Sequence, residues 1–374
     1  MKRLRKITLL FGLTACSLVN ATAQVRLLPS HPLLSEIEPA VRLIYNYRFD
    51  TALVLISHIE QQVPDHPVVP LLKALWQYHN NFPLITGTDE TDQYIALCSE
   101  AVNRCQVYLD RNPDDLEGVS FDMLARAMIN LVYVDNGETM KVALGASALY
   151  RQVAKGFHLM DQFSEFYFTT GLYNYYREAY PEAHPVYKPV ASLFPKGSKK
   201  TGLEQLKYAA SHCIFLRAEA LFYLSLIYLN YEDQPQLAAM LTSRLRALYP
   251  DNTYYLGVHI ESLFINGHFE EADSLIAKLS QAGRKNNFHR MKYLIFRGIY
   301  EDRVLHRPES AKKYLEAGIR LTGQFNRYDE SVRTMAYFAL SRVYRQTGEQ
   351  SMAQKYYRLG KQYAVYKYQL RMSE

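Results

Sequence analysis

The residues of this chain that could do chemistry are few, and they do not form a known catalytic pattern. Segment 195–202 contains the lysines and the threonine of a phosphate-binding loop, but it lacks the upstream glycine and the preceding strand that such a loop requires. His212 and Cys213 could pair as base and nucleophile, but adjacent residues of a helix point in different directions. The motifs H-E-x-x-H and G-x-S-x-G are absent from the sequence. We therefore predict that the protein is not an enzyme and uses no cofactor.

The histidines and cysteines do not predict a metal site or a disulfide framework. The 11 histidines are scattered, and no two have metal-motif spacing beside a cysteine or carboxylate. His184, next to Pro185, is the only histidine that we keep as a candidate for function. Cys98 and Cys105 lie on one predicted helix, about 10.5 Å apart along its axis. A disulfide requires Cα atoms closer than about 7 Å, so these two thiols cannot pair within that helix.

Segment 156–200 is rich in aromatic residues and then in prolines, which interrupt a continuous helix. We predict a helix from about residue 161 to 179, an extended or turning stretch to residue 197, and a new helix that Thr201 caps. One interpretation is a ligand pocket or docking face, because aromatic side chains bury much area at a low entropic cost. The other interpretation is that the segment packs across the helices and joins two blocks. The candidate ligand patch consists of Tyr173, Tyr175, Tyr176 and Tyr180.

A repeated sequence pattern predicts the helices that position these residues. The dipeptide Pro-Asp occurs three times, and each time its proline lies twelve residues after an alanine. The small alanine lets two helices approach closely, the proline cannot continue a helix, and the aspartate favours a turn. Each copy thus predicts the second helix and the exit turn of a helical hairpin. The three copies are Ala52/Pro64/Asp65, Ala101/Pro113/Asp114 and Ala238/Pro250/Asp251.

The C-terminal half contains the clearest hairpins, with turns predicted at Asn266-Gly267 and Thr347-Gly348. These patterns resemble the tetratricopeptide repeat, whose second helix carries A-x3-F and a later proline. The resemblance covers about two thirds of the chain and is strongest for 254–279 and 336–364. A pair of about 34 residues cannot bury enough apolar surface to offset its lost entropy, so neighbouring pairs must stack. The sequence predicts an all-α solenoid of antiparallel helix pairs, interrupted by the irregular aromatic and proline-rich insert.

The resemblance implies a peptide-binding groove lined by the first helix of each repeat. Members that clamp an acidic peptide terminus use Lys and Asn at positions that match Phe222, Leu226, Gly257 and Glu261 here. This chain departs from that pattern, so chaperone-tail recognition is not predicted. The same comparison with the repeat family also places Glu219 in the groove. The candidate partner-binding groove consists of Phe222, Tyr254, Glu261, Phe264, Phe338, Arg342 and Arg345.

The N-terminus has the organisation of an export signal. A basic segment is followed by an apolar run from residue 7 to 19 and by the small residues Ala21-Thr22-Ala23 before Gln24. The run is too short to span a bilayer comfortably. Leu13-Thr14-Ala15-Cys16 also resembles a bacterial lipobox, in which Cys16 would be acylated. Cleavage and secretion is the leading hypothesis, and lipidation at Cys16 is the alternative. Both place the protein in the periplasm or at the outer membrane, without a transmembrane span in the mature chain.

The charge balance gives no indication of a concentrated basic face. Without the four basic residues of the signal, the chain has 39 Lys and Arg against 37 Asp and Glu, so we predict no nucleic-acid partner. The predicted organisation is a signal (1–23), N-terminal repeats (24–155), the insert (156–200) and C-terminal repeats (201–374). Our leading hypothesis is a non-enzymatic envelope scaffold that binds partner proteins. The alternative is a glycan- or small-ligand-binding protein, which resembles the SusD-like family in repeat type, signal and aromatic content.

Overall fold

The computed structural model describes residues 26–28, 30–185 and 188–372. The predicted signal sequence and Cys16 lie outside these residues. The described part of the chain is helical and contains no β-strand, which confirms the all-α fold class. None of its helices combines the length and the apolar character that crossing a bilayer would require.

Eighteen α-helices occur within the described residues. The first nine are α1 (Leu34–Tyr45), α2 (Phe49–Gln62), α3 (Val68–Asn80), α4 (Asp89–Arg111), α5 (Leu116–Asp135), α6 (Thr139–Leu159), α7 (Phe166–Ala183), α8 (Lys188–Ala191) and α9 (Lys199–His212). The second nine are α10 (Arg217–Asn230), α11 (Pro235–Leu248), α12 (Thr253–Ile265), α13 (Asp273–Ala282), α14 (Asn287–Arg303), α15 (Pro308–Ile319), α16 (Glu330–Gln346), α17 (Gln350–Tyr363) and α18 (Lys367–Arg371).

Helices that follow each other in the chain pack as antiparallel pairs, and each pair stacks on the next. The pairs are α1/α2, α3/α4, α5/α6, α7/α9, α10/α11, α12/α13, α14/α15 and α16/α17. First helices of successive pairs also touch, as α12 touches α14 and α14 touches α16. The short helix α18 packs against α10 and α16. This sequential packing confirms the predicted α-solenoid.

The small residues and turn residues act as the sequence predicts. Gly267 follows α12 with φ +78°, and Gly348 follows α16 with φ +83°. A residue with a Cβ would be strained in this left-handed conformation, which is common just after a helix. The three alanines of the Pro-Asp pattern are buried between helices, and each of its prolines lies two residues beyond a helix end: Ala52, Ala101 and Ala238, then Pro64, Pro113 and Pro250.

Much of segment 156–200 belongs to a regular helix pair. The predicted helix begins later than expected, at Phe166, and continues through Pro181 into a last turn that ends at Ala183. The prediction that Thr201 caps the next helix is wrong, because Ser198 Oγ accepts the N–H of Thr201 at 3.2 Å. α7 and α9 approach so closely that a Cβ on Gly202 would lie 2.6 Å from the backbone N of Tyr175.

The end of α1 is fixed to the start of α12, more than 200 residues later. The side-chain amide of Asn252 donates to the carbonyl of Tyr45 at 2.7 Å. The carbonyl oxygen of the Asn46 side chain accepts the backbone N–H of Asp251 at 3.0 Å, and Arg48 forms a 2.8 Å ion pair with the Asp251 carboxylate. The first helix pair therefore contacts the sixth pair, so the stack turns back on itself.

A second contact joins the α3–α4 connection to the C-terminal half. The ring of Phe82 packs against those of Tyr254, Phe288 and Tyr328, with centroid distances of 4.6, 5.5 and 5.2 Å. The carbonyl of Phe82 accepts a 2.8 Å hydrogen bond from the Asn286 side chain. Together the two contacts bring the N-terminal pairs into a ring, and the inner space of this ring lies between α3, α5, α7 and α10.

Candidate functional site

The inner space of this ring is an apolar cavity of about 290 Å³. Its walls come mainly from first helices, namely α3, α5, α7 and α10. These are the helices whose inner faces would form an open groove in a less tightly curved solenoid. Aliphatic and aromatic side chains dominate the lining, which includes Leu71, Leu72, Phe121, Met128, Phe168 and Tyr223.

Glu219 on α10 is the one carboxyl group among the described residues that line the cavity. Its Oε1 accepts a 2.9 Å hydrogen bond from the hydroxyl of Tyr45, which lies at the end of α1. Burial raises the pKa of Glu219 to about 7, and the bond from Tyr45 offsets only part of that increase. A carboxyl with this pKa is largely protonated below neutral pH, and the protonated group can donate a hydrogen bond.

Asn130 on α5 is a second polar group of the cavity wall. Its Oδ1 is buried and has no hydrogen-bond partner within the described structure. α6 passes close to this amide, because a Cβ on Gly145 would lie 2.7 Å from Asn130 Oδ1. A buried acceptor without a donor costs about 1–3 kcal/mol. This oxygen has almost no accessible surface, so it packs against α6 and is not exposed to the cavity.

The size and the lining of the cavity suit a small apolar molecule. An engineered protein cavity of about 150 Å³ lined by apolar side chains stays dry and binds benzene, and this cavity is about twice as large. Ligand pockets are typically apolar with a few placed polar groups. The combination found here, one carboxyl and one amide on an otherwise apolar wall, has that composition.

The cavity wall reaches the surface at the end of α5. Val134 lines the cavity and has 42% of its surface exposed. The neighbouring helix α6 exposes two further large apolar side chains, Met140 at 73% and Leu144 at 76%. A route between the solvent and the cavity at this edge would therefore pass apolar surface on both sides.

Most residues of the predicted groove make contacts within the chain. Phe222 and Tyr254 pack against each other with ring centroids 5.7 Å apart, and Tyr254 also contacts Phe82. Phe264 and Phe338 are buried. A partner that bound Phe338 directly would have to displace other parts of the chain, whereas Phe264, although buried, borders a cleft between the C-terminal helices.

The charged residues of the predicted groove differ in their surroundings. Glu261 accepts a hydrogen bond from Ser331, and Arg342 forms a 2.6 Å ion pair with Asp302. Arg345 is exposed. Arg342 and Phe264 meet at a second cleft, of about 240 Å³, between the C-terminal first helices. The structure thus brings two of the predicted groove residues together in one site.

The predicted aromatic patch is partly internal. Tyr175 is fully buried, and its hydroxyl donates to Glu232. Tyr173 is half-buried and donates to the carbonyl of Pro195 at 2.7 Å. The remaining members are also half-buried. Tyr176 packs edge-on against Tyr231, and Tyr180 packs against His184. Ligand binding by this patch stays a prediction.

The candidate nucleophile, Cys213, is surrounded by groups that disfavour its thiolate. Its buried thiol donates to the carbonyl of Ser164 at 3.3 Å, and burial together with Glu165 raises the pKa of the thiol. The ring of the adjacent His212 is turned toward the carbonyl of Tyr208, at 2.9 Å. Burial also raises the pKa of Cys98 to about 12. Thiols in such surroundings are inert.

Metal ligands are not clustered in the described part of the chain, where no group of three or more His, Cys, Asp or Glu could hold an ion. Cys98 and Cys105 both lie on α4 as predicted and are free, as is Cys213. No protein-family model matches this chain, and no curated protein is detectably similar to it. The resemblance to tetratricopeptide repeats therefore rests on the residue pattern, and function must be argued from the sites.

Proposed function

We propose that this protein is a non-enzymatic binding protein for a small apolar molecule, which it holds inside the closed ring of helix pairs. The observation that carries the proposal is the apolar cavity of about 290 Å³ between α3, α5, α7 and α10. Burial of apolar ligand surface contributes roughly 25 cal/mol per Å². A preformed cavity adds to affinity, because little conformational entropy is lost on binding.

The polar groups of the wall define the ligand further. Glu219 and Tyr45 lie together on this wall. Protonated Glu219 would donate a hydrogen bond to a carbonyl, ether or hydroxyl oxygen of the ligand. We therefore expect a molecule that is apolar over most of its length and carries one or two small uncharged polar groups.

The export signal in the sequence supports a location in the bacterial envelope, either as a secreted protein or with a lipid at Cys16. Membranes are an abundant source of apolar molecules in that compartment. The exposed side chains Met140 and Leu144 beside Val134 would favour the approach of an apolar ligand to this edge of the ring.

A fluorescence titration with N-phenyl-1-naphthylamine tests the proposal, because this dye becomes bright in apolar surroundings. Wild-type protein is expected to bind one dye molecule at saturation. Ala127 lines the cavity, so Ala127→Phe should fill part of it and weaken binding by at least about tenfold, which corresponds to 1.4 kcal/mol. Ala143→Phe makes the same change on the exposed face of α6 and should leave binding unchanged. Equal loss in both variants, or no saturable binding, would contradict the proposal.

A second candidate function is the protein scaffold, for which exposed Met140 and Leu144 are the supporting observation. These side chains lie one turn apart on α6, and paired exposed apolar residues are typical of interaction surfaces. A photo-crosslinking amino acid at position 144, activated in envelope fractions, should capture one specific protein if the scaffold hypothesis holds. The same crosslinker at exposed position 204 serves as the control. Identical products from both positions would argue against it.

A further inference from the structure

The cleft of about 240 Å³ between the C-terminal first helices is separate from the ring cavity and shares none of its lining residues. α12, α14, α16 and α18 all contribute to it. One part of its wall is apolar and aromatic, formed by Phe264, Phe269, Met335 and Tyr368. Another part is basic, because three arginines from three different helices reach it.

Two of these three arginines are neutralised by carboxylates. Arg342 on α16 forms a 2.6 Å ion pair with the buried carboxylate of Asp302. Arg371 on α18 binds both oxygens of Asp233, at 2.9 and 2.5 Å. The first pair joins α14 to α16, and the second joins α18 to the connection between α10 and α11. Both pairs therefore leave little positive charge for a ligand.

Arg303 on α14 is the exception. No Asp or Glu oxygen of the described chain lies within ion-pair distance of its guanidinium, and its Nε is buried without a hydrogen-bond partner. Its guanidinium carbon lies 5.5 Å from the centre of the Phe269 ring. Burial and the nearby charge of Arg342 lower the pKa of Arg303, and the carboxylate of Asp302 offsets only part of this decrease.

An uncompensated, partly buried charge is costly, and the cost disappears when an opposite charge binds. A guanidinium presents its N–H groups as a planar fork that matches the oxygens of a carboxylate or a phosphate. The aromatic wall beside Arg303 would bury an apolar body attached to such a group. The cleft therefore suits a ligand that has two parts, an oxyanion and a compact apolar body.

We propose that this cleft is a second binding site, which takes a small organic anion with its carboxylate or phosphate group on Arg303 and its apolar body against Phe264 and Phe269. The site is independent of the ring cavity, so its test does not depend on whether the proposed function is correct. Arg342 lies at the same edge, but its charge is neutralised by Asp302, so Arg303 is the anchor.

Isothermal titration at constant ionic strength tests the site with three compounds of similar shape. Benzoate and phenyl phosphate carry the two candidate anionic groups, and benzamide has the same ring without a charge. At least one anion should bind in a 1:1 ratio, and benzamide should bind at least about tenfold more weakly, since hydrogen bonds to charged groups are the stronger ones. The ratio of the two anion affinities distinguishes a carboxylate ligand from a phosphate ligand.

Arg303→Gln should weaken binding of the preferred anion at least about tenfold. Arg290→Gln removes the same charge from an exposed position at the other end of α14 and should leave the affinity within about twofold. Because Arg303 has no ion-pair partner in the described chain, Arg303→Gln should unfold at a temperature no lower than that of the wild type. Undiminished binding by Arg303→Gln, equal binding of benzamide, or no binding of either anion would overturn the proposal.

Discussion

The hydroxyl of Tyr45 donates a 2.9 Å hydrogen bond to Oε1 of Glu219, and this bond joins residues 174 positions apart. Tyr45 ends the first helix of the stack, and Glu219 lies on a wall of the ring cavity. The bond therefore connects closure of the ring to the polarity of its inner surface. Stacking of the Tyr45 ring on that of Tyr255, with centroids 6.4 Å apart, supports the same contact.

Tyr45→Phe should destabilise the protein by about 1–3 kcal/mol, because the buried Glu219 carboxyl loses its hydrogen-bond donor while the ring packing is kept. Urea unfolding of the single variants Tyr45→Phe and Glu219→Leu and of the double variant measures their coupling. We expect the double variant to be more stable than the sum of the two single losses implies. Strict additivity would mean that the two residues do not interact.

Stability should fall as pH rises from about 4.5 to 7, because of Glu219. Burial raises its pKa from 4.5 in the unfolded chain to about 7 in the folded protein. The folded state therefore holds a proton that the unfolded state releases over this range, so increasing pH favours unfolding. Glu219→Gln cannot ionise and should flatten this part of the profile. Urea midpoints at pH 5, 6, 7 and 8 provide the measurement, and parallel profiles for the two proteins would contradict the assignment.

Glu165→Ala should destabilise the protein by at least about 2 kcal/mol. The carboxylate of Glu165, just before α7, accepts the backbone N–H groups of Phe215 and Leu216 at 3.1 and 3.0 Å, and also that of Ile214. These groups lead into α10 and have no other acceptor if the side chain is removed. Glu204→Ala, at an exposed position of α9, should change the free energy of unfolding by less than about 0.5 kcal/mol. Equal effects of the two substitutions in denaturant unfolding would refute this role.

The helices and turns could be predicted because local residues determine them. Pro250 ends a helix and Gly267 permits a left-handed turn wherever the rest of the chain lies. Ser198 was missed as a cap because Ser198 and Thr201 are both good cap residues, and only the actual start of the helix distinguishes them. The Phe82 contacts were not predictable. They depend on the small rotation of each helix pair relative to the previous one, which accumulates over several repeats.

The sites were predictable only in part. Resemblance to repeat proteins placed Glu219, Phe264 and Arg342 on a concave surface, and each of them lines a cavity or cleft. The ring cavity itself could not be predicted, because wall residues such as Met128 have the same pattern as core residues. Arg303 did carry a signal, since it continues the stripe of Ile295 and Ile299 at a spacing of four, where a charged residue is unexpected.

A crystal structure of the protein with bound N-phenyl-1-naphthylamine is the most direct test of the central claim. We expect electron density for one dye molecule inside the ring, between Leu72, Met128 and Phe168. Density for the dye only on the outer surface of α6, with ordered water filling the ring cavity, would contradict it.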